Sequence, residues 1–68
     1  MTAQELIRRL RKLARKRGLD VVLTSGRGDH VKVRFGPHRS VLPGRRGELP
    51  LGTLRAICRD LDIDHKDL

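Results

Sequence analysis

The chain contains a single cysteine, Cys58, in 68 residues, so no internal disulfide can stabilise its fold. No cluster of Cys and His has the spacing of zinc ligands. A chain of this length buries only about 60% of the surface that its unfolded form exposes, so its core is thin. The sequence therefore predicts one small domain over residues 1–68, held together by packed helices and a sheet, with Cys58 in the core.

The apolar residues are spread along the chain in short runs. The longest runs have two or three residues, such as residues 21–23. Such runs are too short for a membrane-spanning helix or for the core of a signal peptide. An unpaired thiol suits a reducing compartment. We therefore expect a cytoplasmic protein that does not bind membranes.

Positive charge is concentrated in the first two thirds of the chain. The protein has 16 Lys and Arg against 8 Asp and Glu, a net charge of +8. Residues 1–46 carry thirteen basic and three acidic side chains, whereas residues 47–68 carry three basic and five acidic ones. A field of this sign attracts polyanions, of which nucleic acid is the commonest. The one aromatic residue, Phe35, argues against the stacking platforms with which RRM and OB folds bind unpaired bases.

Residues 3–17 have the pattern of an amphipathic helix. Thr2 and Glu5 have the spacing of a capping box, and Gly18 suits the left-handed conformation that follows many helix ends. Apolar residues recur at helical spacing. The opposite face carries six cations: Arg8, Arg9, Arg11, Lys12, Arg15 and Lys16. This face either binds phosphates or only solubilises the chain, and the net charge of +8 favours phosphate binding.

Three short segments after this helix have the character of strands. Residues 19–24 are rich in Val and Leu and are too short for a helix. After a turn at residues 25–28, apolar and polar side chains alternate over residues 29–35, which predicts a half-buried strand. The wet face of this strand carries His30, Lys32 and Arg34. A turn at residues 36–37 then leads to a third strand over residues 38–42.

A second amphipathic helix is predicted over roughly residues 51–61. Its apolar stripe contains Leu51, Leu54, Ile57, Cys58 and Leu61. Ile63 and Leu68 are expected to dock a short segment after this helix. The element order is therefore α-β-β-β-α. It predicts an α+β fold in which two helices cover one face of a three-stranded antiparallel sheet and the other face stays in water.

His30 is the candidate catalytic residue, because it shares a wet strand face with Lys32 and Arg34. A neutral imidazole accepts the proton of a ribose 2′-hydroxyl, whose oxygen then attacks the adjacent phosphate. The two cations balance the negative charge that grows in the transition state, so the reaction needs no metal or other cofactor. The ordinary alternative is a surface histidine on a basic strand, and from position alone that alternative is the commoner case.

The remaining candidate residues are assigned by their surroundings. His38 lies beyond the turn at residues 36–37, about 15 Å from His30 along an extended hairpin, so a two-histidine acid–base pair is not expected. Lys32 and Arg34 are also predicted to bind RNA. Basic side chains in the first helix, in the turn before His30 and in the loop before the second helix are predicted to do the same. These added residues are Lys12, Arg27, Arg45 and Arg46.

Four segments carry a family resemblance when they are taken in order and spacing. They are Glu5-Leu6-Ile7-Arg8-Arg9-Leu10, Gly28-Asp29-His30-Val31-Lys32-Val33, Val41-Leu42-Pro43 and Leu49-Pro50-Leu51-Gly52-Thr53-Leu54-Arg55-Ala56-Ile57. Over about residues 3–63 the chain resembles the HicA toxins of bacterial type II toxin–antitoxin systems.

The resemblance implies a fold like the double-stranded RNA-binding domain and a metal-independent mRNA interferase, an endoribonuclease whose active histidine is His30. It also implies a HicB-type antitoxin protein that covers the active site. In that family the pair autoregulates its own operon, so DNA is contacted only indirectly, through the antitoxin.

Two other functions are compatible with the same sequence. A non-catalytic RNA-binding module would have the same charge and fold without needing His30. An interaction protein would bind an acidic partner through the first helix. Cleavage of RNA distinguishes the toxin from both, because the toxin is also expected to bind a protein partner tightly.

Overall fold

The chain forms a helix, three strands and a second helix, as predicted. The computed structural model describes residues 1–44 and 47–68, so the predicted RNA contacts Arg45 and Arg46 lie outside the described residues. The elements are α1 (Ala3–Arg17), β1 (Val21–Ser25), β2 (Val31–Phe35), β3 (His38–Leu42), α2 (Leu51–Asp60) and a 3₁₀ turn (His65–Asp67).

Both ends of α1 are capped at the residues that the sequence predicts, and the described hydrogen bonds include the Thr2 half of the capping box. The hydroxyl of Thr2 accepts a hydrogen bond from the backbone N–H of Glu5 at 3.1 Å, which satisfies one of the free amides at the helix start. Gly18 has a φ of 67° and closes the last turn by donating its N–H to the carbonyls of Ala14 and Arg15. This conformation is strained for residues with a Cβ, so the glycine ends the helix at low cost.

The three strands form one antiparallel sheet in the order β1-β2-β3. Val33 lies opposite Leu23 of β1 and opposite Ser40 of β3. The tight turn at residues 36–37 pairs Phe35 with His38, and this pairing fixes the register of β3.

Two strands begin later than predicted. Leu19 was assigned to the first strand, but its N–H donates to the carbonyl of Ala14 at 2.9 Å and so completes the helix exit. His30 was assigned to the second strand, but its N–H donates to the carbonyl of Arg27 at 3.1 Å within the turn. At both residues the backbone N–H binds a nearby carbonyl in the chain instead of a neighbouring strand. The alternation of apolar and polar side chains does not reveal such local hydrogen bonds.

Both helices pack on the same face of the sheet, as predicted. The core joins side chains of both helices to Val33, Phe35 and Leu42 of the sheet. The helix residues are Leu6, Leu10 and Ala14 of α1, with Ile57 at α2 and Leu61 just after it. Successive residues of a strand point to opposite faces, so the exposed Lys32 stands on the face that the helices leave open.

Burial along α2 increases toward its C-terminal end. Leu51 was predicted to lie on the apolar stripe, but it is 58% exposed. Ile57, Cys58 and the capping residue Leu61 are buried, and Leu54 is partly buried. The first turn of α2 therefore stays largely in solvent, and the helix enters the core from Leu54 onward. Ile63 is buried and Leu68 packs against the core, which confirms that the segment after α2 docks.

Candidate functional site

His30 is the last residue of the tight loop between β1 and β2, residues 26–30, which we call the histidine loop. The backbone N–H of Gly26 donates to the His30 carbonyl at 2.8 Å. A Cβ on Gly26 would meet that carbonyl oxygen at 3.0 Å, and Gly28 has a φ of 59°, so both positions favour glycine. Two glycines and a backbone hydrogen bond thus define the conformation of this loop, which places His30 at the start of β2.

The imidazole of His30 is exposed and has one hydrogen-bond partner in the described structure. Its Nδ1 lies 3.2 Å from the carbonyl oxygen of Arg27. A carbonyl only accepts hydrogen bonds, so Nδ1 carries the hydrogen and the lone pair of the neutral ring is on Nε2. The ring is therefore oriented by the backbone of its own loop, and it presents Nε2 as a proton acceptor.

Gly44, just after β3, packs directly on the backbone of Asp29. A Cβ built on Gly44 would overlap the carbonyl carbon and oxygen of Asp29, so this close approach requires glycine. The contact joins the end of β3 to the residue before His30. The position of the histidine loop therefore depends on a backbone contact that is distant in sequence.

Beyond the histidine loop lies the surface that we call the open sheet face. It consists of Val22, Thr24, Lys32, Arg34, Arg39 and Val41. Lys32 and Arg34 were predicted to share this face, and they do. The valines are large exposed hydrophobic side chains, 40% exposed at Val22 and 49% at Val41. A shallow hollow of about 670 Å³ lies over the face.

Arg39 is the cation of this face that sequence reasoning missed. It lies opposite Arg34 in the β2–β3 ladder and is exposed. Arg34 itself donates from Nη1 to the carbonyl of Gly36 at 2.9 Å, which anchors its guanidinium at the turn. The face on which Arg39 lies follows from the two-residue length of the turn at residues 36–37, and that length was the available signal.

Among the described residues, the largest group of cations lies elsewhere, on a surface that we call the α1 ridge. It consists of the exposed side chains of Arg8, Arg9, Arg11, Lys12, Arg15 and Lys16. The apolar stripe of α1 packs on the covered face of the sheet, so the ridge points away from the open sheet face. The fold therefore does not bring Lys12 together with Lys32 and Arg34.

The segment after α2 lies beside the α1 ridge. Arg9 donates from Nη1 to the carbonyl of Leu68 at 3.2 Å, and Arg17 pairs with Asp67 at 3.4 Å. Both contacts are exposed, and exposed ion pairs contribute little to stability. Lys12 and Lys16 line a shallow hollow of about 520 Å³ between the ridge and this segment.

The other two histidines stand apart from His30. His38 lies opposite Phe35, at the far end of β2, and its Nε2 is 3.9 Å from a carboxylate oxygen of Asp62. The Nδ1 of His65 is 3.6 Å from a carboxylate oxygen of Asp64. A two-histidine pair with His30 is therefore not formed, as expected.

Arg27, which was predicted to contact RNA, is exposed in the histidine loop.

The buried thiol of Cys58 is not placed for chemistry. Burial, and secondarily the negative charge of Asp64, raise the pKa of this thiol above its ordinary value of 9.0. A thiol with a raised pKa stays protonated at neutral pH, where the thiolate is the reactive form. Cys58 acts as a core residue, as predicted.

Within residues 1–44 and 47–68, no three His, Cys, Asp or Glu side chains are grouped as metal ligands. None of the helices described is long and apolar enough to cross a membrane. The chain matches no family model, no curated protein and no solved structure. The function must therefore be argued from the site itself.

Proposed function

We propose that the protein is a HicA-like endoribonuclease toxin that cleaves mRNA with His30 and without a metal or other cofactor. The single observation that carries the proposal is the exposed imidazole whose Nδ1 is bound to the Arg27 carbonyl at 3.2 Å. This contact leaves Nε2 free to act as a base, and Lys32 follows two residues later on the cationic face. The α-β-β-β-α element order is the one that the resemblance implies.

The proposed reaction is an internal transesterification of the RNA backbone. Nε2 of His30 takes the proton of a ribose 2′-hydroxyl, and the 2′-oxygen forms a bond to the adjacent phosphorus. The bond from phosphorus to the 5′-oxygen of the next nucleotide breaks. The imidazolium returns its proton to that leaving oxygen. The products are a 2′,3′-cyclic phosphate and a 5′-hydroxyl, and no water or metal enters the balance.

The nearby cations have a separate role in this scheme. Negative charge accumulates on the non-bridging phosphate oxygens as the phosphorus becomes five-coordinate. Lys32 is exposed on the open sheet face near His30, and Arg34 is next along the same strand face. A positive side chain beside the scissile phosphate stabilises the transition state more than the ground state. We assign proton transfer to His30 and charge balance at the scissile phosphate to Lys32, while Arg34, whose guanidinium is bound at Gly36, contacts a phosphate farther along the strand.

A protein that cleaves cellular mRNA needs an inhibitor while it is stored. We propose a HicB-type antitoxin that covers the histidine loop, in the cytoplasm where mRNA is found. The charge of the chain suits this partner, because a net charge of +8 attracts an acidic protein as well as RNA.

A non-catalytic RNA-binding module is the second candidate. The observation that favours it is the α1 ridge, which gathers six exposed cations and no acid–base group. Such a module would bind RNA with a strong salt dependence and yield no product. It would not depend on the ring of His30.

The test is cleavage of a labelled single-stranded RNA in EDTA by the wild type and by His30→Ala. Because general acid–base catalysis contributes roughly 10²- to 10⁴-fold, we expect the variant to lose activity by at least about 100-fold while it keeps its fold and RNA affinity. His38→Ala is the matched control, since that ring lies at the other end of β2, and it should cleave as the wild type does. If His30→Ala cleaves RNA at the wild-type rate, the proposal is wrong.

A further inference from the structure

We infer that the open sheet face, and not the α1 ridge, holds the single-stranded RNA segment that is cut. This inference rests on the proposed function, because it adds the path of the substrate to the site at His30. The observation behind it is that the open sheet face, which includes Arg39, is cationic and begins beside the histidine loop.

The cations of this face lie at increasing distance from the histidine loop. Lys32 and Arg34 are two residues apart on one strand face, which separates their Cα atoms by about 6.8 Å. Arg39 lies directly opposite Arg34 in the adjacent strand, and directly opposite residues have Cβ atoms about 5 Å apart. A strand whose scissile phosphate lies at His30 thus meets further cations as it crosses β2 and β3.

Negative side chains lie at the margins of this face. Among the described residues that line the hollow, the one acid is Asp60, and its carboxylate accepts the hydroxyl hydrogen of Ser40 at 2.8 Å. Asp20 precedes β1, and its carbonyl accepts from Gly36 at 2.9 Å, so it lies at the end of the sheet away from the histidine loop. The middle of the face is therefore cationic.

The exposed valines argue for a single strand. A duplex encloses its bases and presents phosphates and sugars, so it would leave the apolar surface of Val22 and Val41 without a partner. An unpaired strand turns its bases outward and can lay them against those side chains. The only aromatic residue, Phe35, is 1% exposed and cannot stack with a base. We therefore expect little discrimination among bases.

The α1 ridge cannot contact the same nucleotides. It lies on the far side of the covered face of the sheet, and the shortest dimension of the molecule is 17 Å. A strand that contacts Lys32 would have to pass around an edge of the protein to reach Lys12. The two surfaces therefore bind different segments of RNA or different partners.

The test compares two charge-matched double variants in a His30→Ala background, which separates binding from cleavage. Lys32→Gln with Arg39→Gln removes one Lys and one Arg from the open sheet face. Lys12→Gln with Arg8→Gln removes the same charges from the α1 ridge. All four side chains are exposed, so both variants are expected to fold. The probe is a fluorescent ten-nucleotide oligouridine, and its anisotropy is measured over a range of salt concentrations.

For single strands the salt slope of the binding constant is about 0.7 per phosphate neutralised, so the sheet variant should lose about 1.4 from its slope. The ridge variant should lose less than half as much. An equal or larger loss in the ridge variant overturns the inference, as does a preference of the parent protein for a duplex probe or its failure to bind RNA. The probe is checked for intactness on a gel after each titration, so the binding result stands whether or not His30→Ala abolishes cleavage.

Discussion

The α1 ridge and the open sheet face are both cationic, but they differ in what lies beside the charge. The ridge gathers six exposed cations on one helix, and residues 8–16 contain no histidine. The sheet face has three cations, two exposed valines and the imidazole of His30 at its border. The positions of the cations thus indicate where a polyanion is attracted. Cleavage of RNA also requires a titratable group that is held in one orientation.

The two regions also differ in how they are built. The ridge is made by a single helix, so its geometry depends on local caps and on one apolar stripe. The site at His30 depends on contacts between segments far apart in sequence, above all the packing of Gly44 on Asp29. A change in backbone packing should therefore harm the site more than the ridge.

The largest effect should follow from Gly44→Ala. Its methyl group would overlap the Asp29 backbone, which cannot rotate away as a side chain can. Overpacking costs typically 1–3 kcal/mol, and because the nearest obstructing atoms are backbone we expect about 3 kcal/mol of lost stability. The displaced Asp29 should also move the histidine loop, so the folded fraction of this variant should cleave RNA more slowly than the wild type. Urea denaturation and single-turnover cleavage measure the two effects.

Gly52→Ala is the control for that variant. Gly52 lies in α2, with nothing within 4 Å of a Cβ built on it. Replacing a helical glycine by alanine should stabilise the protein by about 0.5–1 kcal/mol, with no effect on cleavage. If the two variants have similar stabilities, the close approach of Gly44 to Asp29 is not what orders this end of the sheet.

An intermediate effect is expected when the cap of α1 is removed. Thr2→Ala deletes the hydroxyl that accepts from Glu5, and loss of such a cap costs about 1 kcal/mol. The cleavage rate of the folded protein should not change, because the histidine loop does not depend on this hydrogen bond. Thr2→Ser keeps the hydroxyl and should retain most of the stability. A large fall in cleavage by folded Thr2→Ala would show that the two regions are coupled.

The smallest effect concerns Cys58, which belongs to neither surface. Burial raises the pKa of its thiol above 9.0. As pH rises through that value the unfolded thiol ionises while the folded thiol stays neutral, so the thiol favours unfolding increasingly at alkaline pH. Cys58→Val removes the titration and should lose less stability between pH 8 and pH 10, buffers set on either side of the ordinary thiol pKa. Equal losses in the two proteins would contradict the assignment of a buried neutral thiol.

The fold could be predicted from the sequence where one local signal acts alone. The bounds of α1 follow from Thr2 and Gly18, and those of β3 from the turns on either side. The prediction was wrong where a local hydrogen bond competes with the ladder, as at Leu19 and His30. Periodicity reports which residues are apolar, but it does not report where the chain leaves a helix or closes a turn.

The candidate site was only partly predictable for the same reason. Alternation placed Lys32 and Arg34 on one face, but the position of Arg39 depended on strand register. The partner of the His30 ring is a backbone carbonyl three residues earlier, which no side-chain pattern reveals. The contact of Gly44 with Asp29 joins segments whose proximity exists only in the folded chain.

The proposed mechanism requires His30 to remove the proton from a ribose 2′-hydroxyl. The direct measurement uses two RNA oligonucleotides of the same sequence in EDTA, one of which has a 2′-deoxy sugar at the scissile nucleotide, and identifies the product ends by mass spectrometry. If His30 acts in this way, the all-ribose strand yields a 2′,3′-cyclic phosphate and a 5′-hydroxyl, and the 2′-deoxy position is not cleaved. Cleavage at that position, or products with a 5′-phosphate and a 3′-hydroxyl, would contradict it.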